Sequence, residues 1–285
     1  MSSTFTEYYN EKTGLTVGVN KVLFSEQTDY QKVEVFETDT WGNMLTIDDM
    51  VMLSEKDEFV YHEMLTHICI FSHPQPERVL VVGGGDGGTA REVLRHKSVQ
   101  QVDLVEIDEA VVRASKEYLP EVGAWGDPRL NVMFTDAIRY VHEVKKPYDV
   151  IIIDGSDPTG PAEGLFERDF IQACYDALAE DGVLTAQNES PWVESYHSTM
   201  KNVHTALESI YSLTKVYLAY IPLYPAGMWS FSFASKGANP LNEDTISSVK
   251  WGLEQFGDQL KYYNKDVHIG CFALPNFVQD IIYNK

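Results

Sequence analysis

Four short apolar runs, VLVV at 79–82, VDLVEI at 102–107, LNVMF at 130–134 and DVIIID at 149–154, are separated by stretches with helical spacing. Strands that are apolar on both faces need cover on both faces, and strands joined through helices run parallel. The pattern predicts a doubly wound parallel sheet. At 285 residues, one such domain, or a medium domain beside a small one, has enough chain to bury most of its apolar surface. Ligands of open parallel sheets sit beyond the carboxyl ends of the strands, so the residues that follow each run are where chemistry is expected.

Upstream, residues 14–54 alternate in the strand manner: Val17, Val19 and Val22, then VEVF at 33–36, then MLTI at 44–47, with Trp41-Gly42-Asn43 as a turn. This predicts a small antiparallel β unit. From Glu55 the period changes. Phe59, Val60, Met64, Ile68 and Phe71 recur at three- and four-residue intervals, as an amphipathic helix requires, until His73-Pro74-Gln75-Pro76 stops it. The domain break is expected near residues 55–60, giving a β domain over 1–56 and a larger α/β domain over 57–285. Downstream, GVLTAQN at 182–188 reads as a strand and about 193–211 as a helix. VYLAYI and WSFSFAS, between 216 and 235, read as an antiparallel pair around Tyr224-Pro225-Ala226-Gly227.

Charge narrows the partners. The chain has 43 acidic against 22 basic side chains, a formal charge of −21 and a pI near 4.6. A field of that sign repels phosphate backbones and anionic lipid heads and draws in small cations, so neither nucleic acid nor a membrane surface is an expected partner. The bland reading is that the excess only keeps the protein soluble. Cys69, Cys174 and Cys271 are far apart and show no metal-ligand spacing, so neither a disulfide framework nor a zinc site is expected. Met1 to Leu15 shows no basic segment followed by an apolar core, and no run of about eighteen apolar residues occurs, so a soluble, cytoplasmic protein is expected.

The first strand end carries Gly83-Gly84-Gly85-Asp86-Gly87-Gly88, directly before a helical stretch. Glycines there let the backbone pass close beneath a ligand. The second run ends at Glu106, 18 residues beyond Gly88, where an acid accepts hydrogen bonds from the hydroxyls of a ribose. The third is followed by Asp136-Ala137, where a carboxylate can accept from an adenine amino group. These three strand ends describe an adenosine pocket. They do not describe a phosphate site, because Asp86 would oppose a pyrophosphate at close range. The fourth run ends in Asp154 and continues to Asp157 and Pro158, so five carboxylates are expected to face one crevice. Like charges so gathered raise one another's pKa unless a cation sits among them. Simpler readings exist: Asp86 starts the following helix, and Asp157 starts a turn before Pro158.

GGGDGGTAREVLRH at 83–96, YHEML at 61–65, DGSDPTGPAEGLF at 154–166 and LYPAGMWSF at 223–231 closely resemble the polyamine aminopropyltransferases, in particular the spermidine synthases of bacterial type. The resemblance spans nearly the whole chain. It implies a Rossmann-like, class I methyltransferase-like doubly wound sheet preceded by a small antiparallel β domain, in a homodimer or homotetramer. It implies decarboxylated S-adenosylmethionine as co-substrate and putrescine as acceptor, with no permanently bound cofactor and no metal. Asp154 takes the part of proton acceptor and Asp157 that of holding the diamine. Tyr61 and His62 fall beside the diamine channel, and Tyr224 and Trp229 in the segment that walls it. For His62, Tyr224 and Trp229 ordinary core packing is the alternative. Gln187 matches a position near the acceptor, Gln31 one that touches the ribose, and Pro161 one that covers adenine. The stretch Thr159 to Gly164 is a candidate lid. Met52 departs from relatives that carry glutamine there, which bears on acceptor selectivity. Within the class, agmatine or cadaverine are rival acceptors. Outside it, the rivals are a methyltransferase using intact S-adenosylmethionine and a non-catalytic polyamine sensor. Asp86 argues against the first and the pair Asp154 and Asp157 against the second.

Overall fold

The computed structural model describes residues 3–158 and 160–283. The amino-terminal sheet contains β1 (Ser3–Asn10), β2 (Thr13–Gln27), β3 (Lys32–Thr38), β4 (Gly42–Ile47) and β5 (Met50–Ser54), ordered as in the chain, each antiparallel to the next. The runs 33–36 and 44–47 lie in β3 and β4 as expected. β1 lies outside the region of visible alternation, and the reason is physical: its inward positions are Phe5 and Glu7, so an acid stands where an apolar residue would complete the pattern. One face of the sheet, with Val33, Val35, Leu45 and Leu53, packs on Ala110, Val111 and Ala114 of the larger domain.

Helix α1 (Glu58–Ser72) follows. It is not the amphipathic surface helix that its spacing predicts, because every residue but Phe59 is buried. Its polar side chains find partners inside instead. Glu63 accepts from the backbone N–H groups of Lys261, Tyr262 and Tyr263, and His67 meets His96.

The larger domain runs β6 (Arg78–Gly83), α2 (Gly88–Leu94), β7 (Gln101–Glu106), α3 (Glu109–Tyr118), β8 (Leu130–Phe134), α4 (Ala137–His142), β9 (Tyr148–Asp154), α5 (Arg168–Ala177), β10 (Leu178–Gln187), α6 (His197–Ile210), β11 (Leu213–Tyr220) and β12 (Met228–Ser235). Helices α7 (Glu243–Phe256), α8 (Lys265–Gly270) and α9 (Asn276–Tyr283) complete it. The strand order is β11-β12-β10-β9-β6-β7-β8, with β8, β7, β6, β9 and β10 parallel and β12 antiparallel to both neighbours. This is the expected Rossmann-like sheet. The chain reverses its direction of winding between β6 and β9, and a crevice opens at such a switch point. Alternate residues of each central strand bury on opposite faces: Val79, Val81, Val150 and Ile152 against α1, and Leu80, Val82, Ile151 and Ile153 against α5 and α6.

Two expectations change. β8 is an edge strand with Asn131 and Phe134 exposed and Leu130, Val132 and Met133 only half-buried, so it is not apolar-covered on both faces. The helix expected from 193 begins at His197, after a short 3-10 turn at Glu194–Tyr196. The three cysteines are free, with Cys69 and Cys174 buried and Cys271 half-buried. Among the described residues no helix is long and apolar enough to cross a membrane.

Candidate active site

Two glycines of the loop from β6 to α2, Gly84 and Gly85, face acid side chains at close range. Gly84 has φ +67°, and a Cβ there would stand 2.7 Å from Asp154 Oδ2; one on Gly85 would stand 2.7 Å from Glu106 Oε2. The Gly84 N–H donates to the Asp154 carbonyl at 2.8 Å, tying the loop to the end of β9. Asp86 accepts from the Gly88 N–H at 2.7 Å, so the helix-start reading holds. It is not the whole role, since the same oxygen faces His62 Nε2 at 3.1 Å.

These strand ends surround a cleft, walled also by Met52 of β5 and by Gln31 just before β3. Asp86, Glu106, Asp136 and Asp154 line it, whereas Asp157 does not. Asp157 lies in a smaller adjoining pocket with Glu7, Gln187 and Trp229, and the two share Met52, Tyr61, Gly155, Ser156 and Tyr224 as a common wall. The expectation of five carboxylates in one crevice is corrected: β9 ends between two pockets, and the three-residue step from Asp154 to Asp157 crosses the wall. Asp136 stands exposed at the rim, where it also caps α4 through the Ile138 N–H.

Burial sets the charge states. It lifts the Glu106 carboxyl to about 7, although the N–H groups of Asp108, Ile107 and Gly85 partly offset it. Burial and the neighbouring Asp86 charge raise Asp154 to about 6, against the pull of His62 and the Tyr61 hydroxyl. Asp86 behaves oppositely. Burial would raise it, but His62 outweighs that and holds it below the usual carboxylate range. Burial lowers His62, yet Asp86 and Glu58 on either side keep it protonated, with a pKa of about 10. Its Nδ1 lies 2.6 Å from Glu58 Oε2. A nitrogen of His62 and one oxygen each of Asp86 and Asp154 lie within 4.8 Å of one another. A doubly protonated ring has no lone pair for a metal, so this triad holds a cation of its own.

Two acids, Glu7 and Asp157, line the adjoining pocket, and a third, Glu189, is buried nearby. Tyr196 Oη donates to Asp157 Oδ2 at 2.8 Å, and the Val51 N–H to Glu7 Oε2 at 2.9 Å. Burial lifts Glu7 to about 7, the Val51 N–H pulling down and Asp157 pushing up. Glu189, at φ +70°, is raised well above the usual range by burial and by Asp157. Among the described residues no Lys or Arg lines either pocket.

The family description "Spermine/spermidine synthase domain" matches residues 58–244, and "Spermidine synthase tetramerisation domain" matches residues 4–55. The chain belongs to the spermine/spermidine synthase family. It is 42% identical over 283 residues to the polyamine aminopropyltransferase of Clostridium botulinum strain Alaska E43 / Type E3, covering 99% of this chain and 98% of that one. To the polyamine aminopropyltransferase of Shouchella clausii strain KSM-K16 it is 44% identical over 284 residues, 99% of this chain and 100% of that one. A solved spermidine synthase in complex with the transition-state analogue AdoDATO superposes with a TM-score of 0.94 at 42% identity, covering 99% of this chain and 96% of that one. The spermidine synthase from Thermotoga maritima superposes with a TM-score of 0.90 at 41% identity, covering 98% and 94%.

The residues carried from the aminopropyltransferase resemblance fall around the two pockets. Gln31, Ala137 and Pro161 line the larger cleft, Pro161 within the 3-10 turn Gly160–Phe166; Thr159 lies outside the described residues. Gln187 and Trp229 line the smaller pocket, and Trp229 also packs in the core, edge-on to Tyr224 with centroids 4.8 Å apart. His62 is placed differently from expectation. It borders the cleft, but both ring nitrogens are engaged by Glu58 and Asp86, so it anchors Asp86 and has no nitrogen left for a substrate. Sequence reading missed Glu7, Glu189 and Tyr196. Glu189 lies just past the end of β10 and answers to the same strand-end rule as the other acids. Glu7 carries no local signal, because only the folding of β1 across the domain junction makes it part of the pocket.

Proposed function

We propose that this aminopropyltransferase uses decarboxylated S-adenosylmethionine as donor and putrescine as acceptor, giving spermidine and 5′-methylthioadenosine. The observation that carries the reading is the pair of acid-lined pockets that share Tyr61 as a wall, with Tyr61 donating to Asp154 on the larger side. The similarity to spermidine synthases, one solved with a transition-state analogue, supports it.

In this reading the adenosine occupies the larger cleft. Glu106 and Gln31 accept the ribose hydroxyls, Asp136 receives the adenine amino group, and Ala137 and Pro161 flank the ring. Asp86 faces the ammonium of the aminopropyl arm. The intact donor would place a carboxylate here, against an aspartate already fixed at short range by the Gly88 N–H. Such juxtaposition of like charges selects the decarboxylated form. The diamine spans the wall: its far ammonium lies between Glu7 and Asp157, its near nitrogen at Asp154, and Tyr224 and Trp229 cover its methylenes.

The amine lone pair attacks the carbon beside the sulfonium; a C–N bond forms, the C–S bond breaks, and its electron pair neutralises the sulfur. A protonated amine has no such pair, and deprotonating one of pKa about 10.4 at pH 7 costs about 4–5 kcal/mol. Asp154, raised to about 6, is a better proton acceptor than an ordinary aspartate, though still far from matched. Its main work is to orient the amine and to receive the proton as the bond forms. Alignment of the two reactants supplies much of the remaining acceleration. We further propose that the chain assembles as an oligomer through its residues 4–55, as the description of that region implies. Product identification by mass spectrometry tests the reading. The purified enzyme, the decarboxylated donor and a panel of putrescine, cadaverine and agmatine should give spermidine fastest, and equal rates on all three would remove the putrescine assignment.

A further inference from the structure

A second cleft lies beyond the amino end of β6, among the end of α1, the turn after α2 and the face of α7. None of its lining residues is acidic, although the chain carries 43 acidic side chains. Arg95, Lys97, His73 and His96 line it, with Phe71 and the 68% exposed Trp251. Lys97 is exposed, and among the described residues no acid lies within ion-pairing distance of it. Arg95 Nε is held 2.7 Å from Glu92 Oε2 behind the wall, and His73 Nε2 lies 3.3 Å from Asp181. None of residues 4–55, the region whose description names tetramerisation, contributes to this cleft.

The wall joins the active site through consecutive charged contacts. Glu92 Oε1 meets Arg91 Nε at 2.7 Å, Arg91 Nη2 meets Glu58 Oε2 at 2.9 Å, and Glu58 Oε2 meets His62 Nδ1 at 2.6 Å. His62 Nε2 then meets Asp86. On a parallel branch, His67 lies 3.2 Å from Glu92 Oε2 and 2.9 Å from His96 Nε2.

We propose that this cleft is a second ligand site for a small anion with an aromatic body, and that its occupancy is transmitted to Asp86 through Arg95, Glu92, Arg91, Glu58 and His62. A flat ring would lie on Trp251 and its anionic group would reach Lys97 and Arg95, where a planar guanidinium suits a carboxylate or a phosphate. An anion on Arg95 competes with Glu92 for it. Glu92 then draws more on Arg91, Glu58 more on His62, and Asp86 becomes freer to accept an external ammonium. The transmission rests on the donor assignment made above; the binding does not.

Calorimetry on the full-length enzyme with 1-naphthoate and 1-naphthyl phosphate tests the site, the two probes distinguishing carboxylate from phosphate. One saturable site per chain is expected for at least one of them, with 1-naphthalenemethanol and inorganic phosphate each about tenfold weaker or worse. Lys97→Glu and Trp251→Ala are surface changes that should leave basal turnover intact and weaken the probe about fivefold or more. Equal affinity for the uncharged alcohol, unchanged affinity in both variants, or no saturation at millimolar probe would overturn the site. For transmission, saturating probe should lower the donor KM about threefold in wild type and not in Lys97→Glu. A constant donor KM with the probe bound would overturn the transmission while leaving the site in place.

Discussion

Tyr61 Oη donates to Asp154 Oδ1 at 2.7 Å, while Oδ2 of the same carboxylate is buried with no hydrogen-bond partner. The tyrosine is itself fixed by tilted contacts with Tyr224 and Phe231, at 5.7 and 5.6 Å between centroids. One oxygen is thus held and the other left for an incoming N–H. A buried, unsatisfied acceptor is costly unless a ligand meets it, and an amine is the complementary group.

Asp154→Asn keeps the shape but removes the proton acceptor. Turnover should fall by about two orders of magnitude or more, with donor affinity within about twofold of wild type. Steady-state kinetics and calorimetry on one preparation check both halves; near-normal turnover would take Asp154 out of its role.

Binding should release protons at mildly acid pH. Below about 7 the free enzyme holds protons on Glu7 and Glu106, and below about 6 on Asp154. A bound ammonium favours the ionised acids, so binding at pH 6 expels protons and binding at pH 8, where the acids are already charged, does not. Accordingly kcat/KM should rise with pH through 6–7. Calorimetry in buffers of different ionisation enthalpy measures the proton count directly, and a zero count at pH 6 contradicts the charge assignment.

Gly85→Ala places a methyl against Glu106 Oε2 and 2.9 Å from Val111 Cγ1, with no unusual φ to blame. Overpacking of this kind costs about 1–3 kcal/mol. The donor KM should rise at least about tenfold while the acceptor KM stays nearly constant, because Glu106 lines only the larger cleft. Equal changes in both constants would mean that the two pockets are not separate.

Glu7→Gln is the converse test, in the smaller pocket. Losing one charged partner should raise the acceptor KM about tenfold or more and leave the donor KM unchanged. It should also stabilise the free protein. Glu7 has a folded pKa of about 7 against an ordinary 4.5, so its ionisation opposes folding increasingly as pH climbs between those values, and fully above them. Glutamine removes a penalty on the order of 1–3 kcal/mol at pH 8 and nothing at pH 4. Thermal melts at the two pH values read it.

The parallel strands were legible because each is a short apolar run that stops at a polar residue: Glu106 and Asp154 are the last residues of β7 and β9. The strand-end rule then placed most of the larger cleft. Lateral position was not legible. Asp154 and Asp157 look alike in sequence, yet the segment Gly155-Ser156 carries them to different pockets. The YHEML motif drew attention to His62 without its partners, since Glu58 is one turn earlier and Asp86 is distant in the chain. Glu7 was invisible for a topological reason: an acid on an edge strand reads as solvated until another domain covers it.

Selection of the decarboxylated donor by Asp86 is read out by donor discrimination. Calorimetry should compare decarboxylated with intact S-adenosylmethionine on wild type and on Asp86→Asn. Wild type should prefer the decarboxylated donor at least about tenfold, and Asp86→Asn should lose most of that preference. Equal or tighter binding of the intact donor by wild type would contradict it.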